Sequence, residues 1–229
     1  MQLDLLEKFT LLAHHPEKRR FMISEVYVNY GIIGAMLMDL SLINRLDIKN
    51  ENLIIKDSGN LPNPMIAEVA SNIHRSGKQK KVKFWVMKFG KKAAKYRHGI
   101  LEILAQKNII EIERKKFLGL FPYIKTRVTD NRTRDKLIQE VKDHVLNHRN
   151  ISDEETVMLG LVESCKMYNV LSKDKAEIKQ MKANLKNILK ESPIADSIDK
   201  TVKQVQSAIM VSVIASTTAA TTASTVSSS

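Results

Sequence analysis

Three cationic side chains, Arg132, Arg134 and Lys136, lie at the start of a predicted helix spanning residues 130–148. A phosphate group beside a helix N-terminus meets backbone N–H groups without partners and the positive end of the helix dipole. Arginine and lysine within the first turns add charge-assisted hydrogen bonds to such an anion. The spacing therefore predicts an anion-binding site, with ordinary surface cations paired to neighbouring carboxylates such as Asp130 as the alternative.

The remaining polar clusters do not indicate catalysis or a bound metal. His144 and His148 are four residues apart, but the sequence supplies neither a glutamate in HExxH spacing nor a nearby third ligand. The acidic run at 153–155 occupies the first turn of a predicted helix, where carboxylates are favoured on electrostatic grounds. Cys165 has aliphatic neighbours and no evident histidine partner, which favours a buried structural thiol. We therefore expect a non-enzymatic protein with no cofactor and no metal.

The positive charge is concentrated in the middle third of the chain. The 229 residues carry a formal net charge of +12, and residues 73–149 hold 21 Lys or Arg against 7 Asp or Glu. A local basic field attracts polyanions, either nucleic acid or acidic lipid headgroups. A solvated surface that only keeps the protein soluble is the alternative.

Residues 78–95 form a strongly basic segment that contains Phe84, Trp85 and Phe89. A basic amphipathic segment can lie at a lipid interface, with its aromatic rings inserted and its lysines above the headgroups. Apolar residues packed into the core give the same pattern. We favour core packing for Phe84, Val86 and Phe89.

Composition favours a cytoplasmic globular protein. Hydrophobic residues make up 43% and charged residues 27% of the sequence, which is enough for one sizeable core. A single cysteine excludes an internal disulfide and favours a reducing compartment. The first residues carry Asp4, Glu7 and Lys8 within an apolar stretch, so they do not resemble a signal peptide. No window is long and apolar enough to predict a membrane-spanning helix.

Hydrophobic periodicity predicts a mainly α-helical, single-domain bundle with peripheral helices and small β-hairpins. Helices are predicted at about 3–13, 21–43, 65–77, 91–108, 130–148, 152–171, 175–189 and 194–215. One hairpin is predicted at 45–57, and a second at 109–128 with its turn at Lys115-Lys116. We assign residues 1–215 to the domain and residues 216–229 to a disordered low-complexity tail.

The segment 21–43 is apolar on nearly all sides, which is typical of a central helix. Gly31 and Gly34 interrupt it, although glycine costs ~1 kcal/mol relative to alanine inside a helix. We expect these glycines to let a neighbouring helix or the N-terminal segment approach closely.

Several segments, in this order, are similar to those of a known family. They are LDLLEKFTLL at 3–12, GIIGAMLMDLSLINRL at 31–46, the LFP at 120–122 and DEETVMLGLVESCKMYNVL at 153–171. The chain resembles the Golgi phosphoprotein 3 family from residue 1 to about residue 215. The resemblance implies a helical bundle core with small peripheral helices and hairpins, and a flat basic membrane-facing surface. It also implies recognition of phosphatidylinositol 4-phosphate, as in the eukaryotic members.

The resemblance carries only part of the lipid site over to this chain. Eukaryotic members have a tryptophan seven residues before the first helix glycine and an arginine directly before the second; Ser24 and Ile33 occupy those positions. The basic residues at the start of the helix after the hairpin are retained, and they are Arg132, Arg134 and Lys136. The segment 18–21, which includes Arg20, is the candidate that could supply the missing charge.

These features favour a peripheral membrane protein on the cytoplasmic side that binds anionic or phosphoinositide headgroups, at the Golgi if the host is eukaryotic. A winged-helix nucleic-acid-binding protein is the alternative, because helix 91–108 precedes a basic hairpin and carries Arg97 and Gln106 as candidates for base contacts. A third interpretation is an adaptor whose hairpins mediate self-association into a homo-oligomer, which resembles how family members oligomerise.

Overall fold

A computed structural model describes residues 2–117, 120–147, 151–191 and 195–226. The helices in this part of the chain are α1 Leu5–Ala13, α2 Glu25–Leu42, α3 Pro64–Arg75, α4 Val82–Gly90, α5 Ala93–Gln106, α6 Asn131–Asn147, α7 Asp153–Ser164, α8 Tyr168–Leu171, α9 Lys175–Glu191 and α10 Asp196–Val226. The strands are β1 Leu46–Lys49, β2 Asn52–Ile55, β3 Lys80–Lys81, β4 Ile110–Phe117 and β5 Phe121–Val128. The predicted mainly helical single-domain fold with small hairpins is confirmed.

Helix α2 is the centre of the core, as its sequence predicts. Helices α1, α3, α4, α5, α7 and α10 all pack against it. A methyl group on Gly31 would overlap the Phe9 ring of α1 and lie 2.8 Å from Cys165 Sγ, and one on Gly34 would lie 2.6 Å from Ile209 Cδ1 of α10. The expectation that these glycines permit close approach is confirmed.

The start of α1 is fixed by carboxylates. Asp4 and Glu7 form a capping box, in which each side chain accepts the other residue's backbone N–H at 2.8 Å. The Asp39 carboxyl group of α2 accepts the N–H groups of Leu5 at 3.3 Å and Leu6 at 3.1 Å. These bonds satisfy backbone donors that a helix N-terminus leaves open and tie α1 to α2.

The first hairpin forms where the sequence predicts it. Strands β1 and β2 pair antiparallel from Leu46↔Ile55 to Lys49↔Asn52. The turn residues Asn50 and Glu51 both have positive φ, at 49° and 62°, as a two-residue hairpin turn that matches the strand twist requires. Strand β3 adds a short third strand that the sequence did not indicate.

The second hairpin is longer than predicted. Lys115 and Lys116 lie within β4 and pair with Tyr123 and Pro122, so the predicted turn at these lysines is wrong. The register that starts at Ile110↔Val128 runs without a break through both lysines to Phe117↔Phe121, and residues 118–119 lie outside the described residues.

Two predicted helix ends also need correction. The helix predicted at 152–171 is interrupted at Lys166, which has φ 54°, and the Met167 N–H donates back to Val162 O at 3.0 Å, a closure typical of a helix ended by a left-handed residue. The last helix continues past 215 to Val226, and the Ser216 hydroxyl lies 2.9 Å from Tyr30 Oη. The domain limits at 1–215 and 216–229 stay a prediction.

No helix in the described part of the chain has the length and apolar character needed to cross a bilayer.

Candidate anion-binding site

The start of α6 already holds a carboxylate of the chain. Asp130 Oδ1 accepts the backbone N–H of Thr133 at 3.0 Å, and Asp130 Oδ2 accepts the Thr133 hydroxyl at 2.5 Å. These two hydrogen bonds hold the pKa of Asp130 below its usual value. A bound anion at this helix end would therefore compete with Asp130 for the backbone donors of the first turn.

Arg134 is a buried residue with 3% of its surface exposed. Its Nε donates to the His14 carbonyl oxygen at 2.8 Å, and its Nη2 lies 3.4 Å from the Leu12 carbonyl oxygen and 3.3 Å from Met22 Sδ. A cation is favoured at the C-terminal end of a helix, where backbone carbonyls lack partners. The structure thus places Arg134 at the end of α1, with its donors directed away from solvent.

Arg132 and Lys136 lie four residues apart and are both exposed on α6. Lys136 Nζ lies 3.7 Å from Glu140 Oε1, a surface pair of the kind that contributes little. The structure therefore separates the three predicted cations into two that face solvent and one that is buried. Headgroup binding by Arg132 and Lys136 stays a prediction.

Arg20 lies in the loop 14–22, which Arg134 holds in place. The Met22 N–H donates to Ala13 O at 2.8 Å and the His15 N–H donates to Arg20 O at 2.9 Å, so the loop closes on itself. Desolvation, followed by the charges of Lys18 and Arg20, lowers the pKa of His15 below its ordinary value. No carboxylate among the described residues forms an ion pair with Arg20.

The loop borders a basic cleft of about 490 Å³ that also involves α5 and β5. Its polar lining comes from Arg19, Arg20, Glu25, Arg97, His98 and Thr126. Its apolar lining includes Phe21, Ile23, Leu101 and Ile124. Guanidinium groups present planar donor pairs that match phosphate and carboxylate oxygens, so the cleft can bind an anionic group and an adjoining apolar portion.

Carboxylates on the border of the cleft hold two of its arginines. Arg19 pairs with Glu113 of β4. Arg97 Nη1 donates to Glu25 Oε1 at 2.6 Å and to Asn29 Oδ1 at 2.9 Å, which fixes α5 against the N-terminal half of α2. Among the arginines that line the cleft, Arg20 is therefore the one whose charge no described carboxylate neutralises.

A neutral histidine supports the cleft from behind. His14 Nε2 lies 2.6 Å from the Thr126 hydroxyl, and its ring stacks edge-on against Phe21 at 5.2 Å. Burial lowers the pKa of His14, so the imidazole is uncharged at neutral pH. His14 thus joins the loop to β5 without adding charge.

Helix α4 presents apolar side chains to solvent among its lysines. Trp85, Val86 and Phe89 are buried, as predicted for Val86 and Phe89. Phe84 is 44% exposed, so the prediction of core packing is wrong for this residue. The reason is helical phase: Phe84 lies on the opposite side of α4 from Val82 and Val86, together with Met87, which is 37% exposed.

The two family positions that differ in this chain lie in different environments. Ser24 precedes α2 as an exposed residue and makes no side-chain hydrogen bond to the helix. Ile33 is fully buried in α2 and does not reach the surface. Ser24 lies between Ile23 and Glu25, which line the cleft, whereas Ile33 packs in the core.

The other polar candidates have structural partners. His144 Nε2 lies 2.9 Å from Glu155 Oε1, and His148 lies outside the described residues. Cys165 is buried beside Gly31. In the residues that the structure covers, no group of three or more His, Cys, Asp or Glu side chains could hold a metal ion.

The sequence did not indicate that Arg97 and His98 line the same cleft as Arg20. The sequence singled out Arg97 only as a candidate for nucleic acid contact. The contact between Arg97 and Asn29 crosses 68 residues, and no short-range pattern reports such a pairing.

The fold and the cleft define a single helical domain with a basic cleft between a loop, a helix and a hairpin. The chain belongs to the Golgi phosphoprotein 3 (GPP34) family, whose family model matches residues 5–205. No curated protein sequence matches the chain.

Proposed function

We propose that this protein is a non-enzymatic peripheral membrane protein that docks on an anionic bilayer surface. The observation that carries the proposal is the outward face of α4, where Phe84 and Met87 are exposed between Lys83 and Lys88. Aromatic and apolar side chains enter the headgroup boundary while lysines remain above it, each worth about 1 kcal/mol near an anionic surface. Membership of the Golgi phosphoprotein 3 family supports this function.

Helix α5 connects the α4 face to the cleft. Lys91 and Lys92 lie between α4 and α5, and Arg97 and His98 follow on α5 at the cleft. Eight lysines of the segment 78–95 are exposed, and they are Lys78, Lys80, Lys81, Lys83, Lys88, Lys91, Lys92 and Lys95. The α4 lysines would attract the bilayer, and the cleft would bind one headgroup.

The cleft has the chemistry for a phosphorylated headgroup. Arg20 supplies a guanidinium without a carboxylate partner among the described residues, and Arg19 and Arg97 lie on the same cleft. We propose an anionic or phosphoinositide lipid as the ligand. In a eukaryotic host this places the protein on the cytosolic face of the Golgi; in a bacterial host the partner is another anionic lipid. Self-association into a homo-oligomer stays a prediction.

Co-sedimentation with vesicles tests the proposal. The vesicles are phosphatidylcholine alone, or phosphatidylcholine with phosphatidylserine or with phosphatidylinositol 4-phosphate, at physiological ionic strength. We expect binding only to the anionic vesicles. Arg20→Glu should weaken it by about tenfold or more, because one cation is lost and one anion is added near the surface.

Two matched controls separate the local contacts from general charge and hydrophobicity. Lys175→Glu makes the same change in charge at the start of α9, and Ile43→Ser removes an exposed apolar residue at the end of α2. Arg20→Glu and Phe84→Ser should each reduce binding more than their control. Equal losses, or no binding of the unaltered protein to any anionic vesicle, would refute membrane docking through this face.

The nucleic acid alternative is not favoured by these observations. Lys115 and Lys116 lie within β4 and not in a turn, and Arg97 already bonds to Glu25 and Asn29. Duplex DNA added to the same assay should not compete with vesicles at physiological salt.

A further inference from the structure

A second basic groove lies between α9 and α10, away from the cleft and outside the basic middle third of the sequence. Its volume is about 610 Å³. The cations that line it are Lys166, Lys182, Lys186, Lys190 and Lys203. Lys182, Lys186 and Lys190 are spaced four residues apart on α9, so they project from successive turns of one side of the helix.

Some of these lysines are paired within the protein and others are not. Lys166 lies 3.0 Å from Glu163, and Lys203 lies 2.6 Å from Asp199. Lys182 Nζ lies 4.9 Å from the centre of the Tyr168 ring. In the described part of the chain, no carboxylate forms an ion pair with Lys186 or Lys190, so this end of the groove has positive charge available for a ligand.

The groove also has an apolar lining. Tyr168, Leu189 and Met210 lie along it, and Met210 is 42% exposed. Ile214, one helical turn beyond Met210 on α10, is 64% exposed. Large apolar residues exposed side by side commonly mark a contact surface, and a solvated basic patch alone has no need of them.

We propose that the α9–α10 groove binds an acidic amphipathic peptide segment of a partner protein. The segment would place apolar side chains against Met210 and Ile214 and carboxylates against Lys186 and Lys190, which is the helix-in-groove mode of recognition. The span from Lys182 to Lys190 is about 12 Å at 1.5 Å per residue, or roughly two turns of a bound helix. A flat bilayer would contact the lysines at the edges of such a groove but not its apolar lining.

The full-length protein and a synthetic peptide test this proposal. The probe is a fluorescein-labelled amphipathic peptide. Leucine at positions i, i+3, i+4 and i+7 forms one side of its helix, and glutamate occupies the other positions. Its control has the same composition in scrambled order, which removes the apolar stripe. Fluorescence anisotropy should show saturable binding of the probe and much weaker binding of the scrambled peptide.

Two variants and one matched control locate the binding. Lys186→Glu with Lys190→Glu should weaken binding of the probe by about tenfold or more, through repulsion of its carboxylates. Met210→Ser should weaken it by about threefold or more without any change of charge, because apolar burial is lost. Lys173→Glu with Lys175→Glu makes the same charge change before the groove and should have little effect.

Three results would overturn the proposal: equal binding of the scrambled peptide, equal loss in the Lys173/Lys175 control, or no effect of Met210→Ser. Each would mean that the probe responds to charge in general. Vesicle binding measured on the same variants should stay unchanged, which keeps this test independent of the proposed membrane function.

Discussion

The Nε of Arg134 donates to the carbonyl oxygen of His14 at 2.8 Å, across 120 residues of sequence. This bond joins the first turn of α6 to the end of α1 and to the loop that carries Arg20. Arg134 therefore acts on the cleft indirectly, by holding the loop in position.

Replacing Arg134 should destabilise the whole fold. Arg134→Ala leaves the His14 carbonyl without its donor in a buried site, and we expect a loss of about 2–4 kcal/mol in the free energy of unfolding by urea titration. Arg132→Ala, two residues earlier and exposed, is the control and should change stability by no more than about 0.5 kcal/mol. Similar losses in the two variants would contradict the structural role.

Asp39 should make stability depend on pH. Burial, and then the neighbouring Asp4, raise the pKa of Asp39 from 3.8 to about 8, despite two backbone N–H donors. Between these values the folded state binds a proton that the unfolded chain has released, so stability is lost as the pH rises from about 4 to about 8.

Asp39→Asn removes this titration while keeping an oxygen that can accept the Leu5 or Leu6 N–H. The free energy of unfolding of the variant should therefore fall less between pH 5 and pH 8 than that of the unaltered protein. Parallel pH profiles would show that Asp39 titrates normally.

Gly31 should not tolerate even a methyl group. Gly31→Ala places Cβ against Phe9 and Cys165, and overpacking of this kind costs about 1–3 kcal/mol, partly offset by the better helix propensity of alanine. Gly59→Ala is a suitable comparison, because its Cβ would be 3.4 Å from the nearest atom, Asp57 Oδ1. Thermal denaturation should show a lower midpoint for Gly31→Ala only.

Cys165 should be inert while the protein is folded. Complete burial raises the pKa of its thiol above the ordinary value, which suppresses the reactive thiolate. We expect the reaction with a thiol reagent at pH 8 to be at least about 100-fold slower than in denaturant, since access requires opening of the core. Rapid reaction of the native protein would mean that the packing around Gly31 opens readily.

The sequence predicted the central parts of the fold better than its ends. The apolar pattern of residues 21–43 and the pair Gly31 and Gly34 identified α2 and its close neighbours, because burial on all sides leaves a strong periodic signal. The end of α7 at Ser164 could not be predicted in the same way. Lys166 adopts positive φ two residues later, and lysine is not a residue type that favours this conformation, so the sequence gives no signal of the turn.

The candidate site shows the same contrast. Arg134 lies on the same side of α6 as Leu137, Val141 and Val145, which are buried. The spacing of these residues in the sequence therefore predicts that Arg134 is buried too. The cleft itself could not be predicted from the sequence, since Arg19 and Arg97 belong to segments that only the folded chain brings together. The lysines of α9 give no signal in the net charge of the sequence outside 73–149, because acidic residues elsewhere in those segments offset them.

Helix α10 completes the core from a distant part of the chain. The Ser41 hydroxyl donates to Thr201 Oγ1 at 3.0 Å across 160 residues, and Ile209 fills the space beside Gly34. During translation at about 5–20 residues per second, one apolar side of α2 stays uncovered for roughly 10–40 s before α10 has been synthesised. Until then, the side of α2 that Gly34 presents to Ile209 lacks its covering helix.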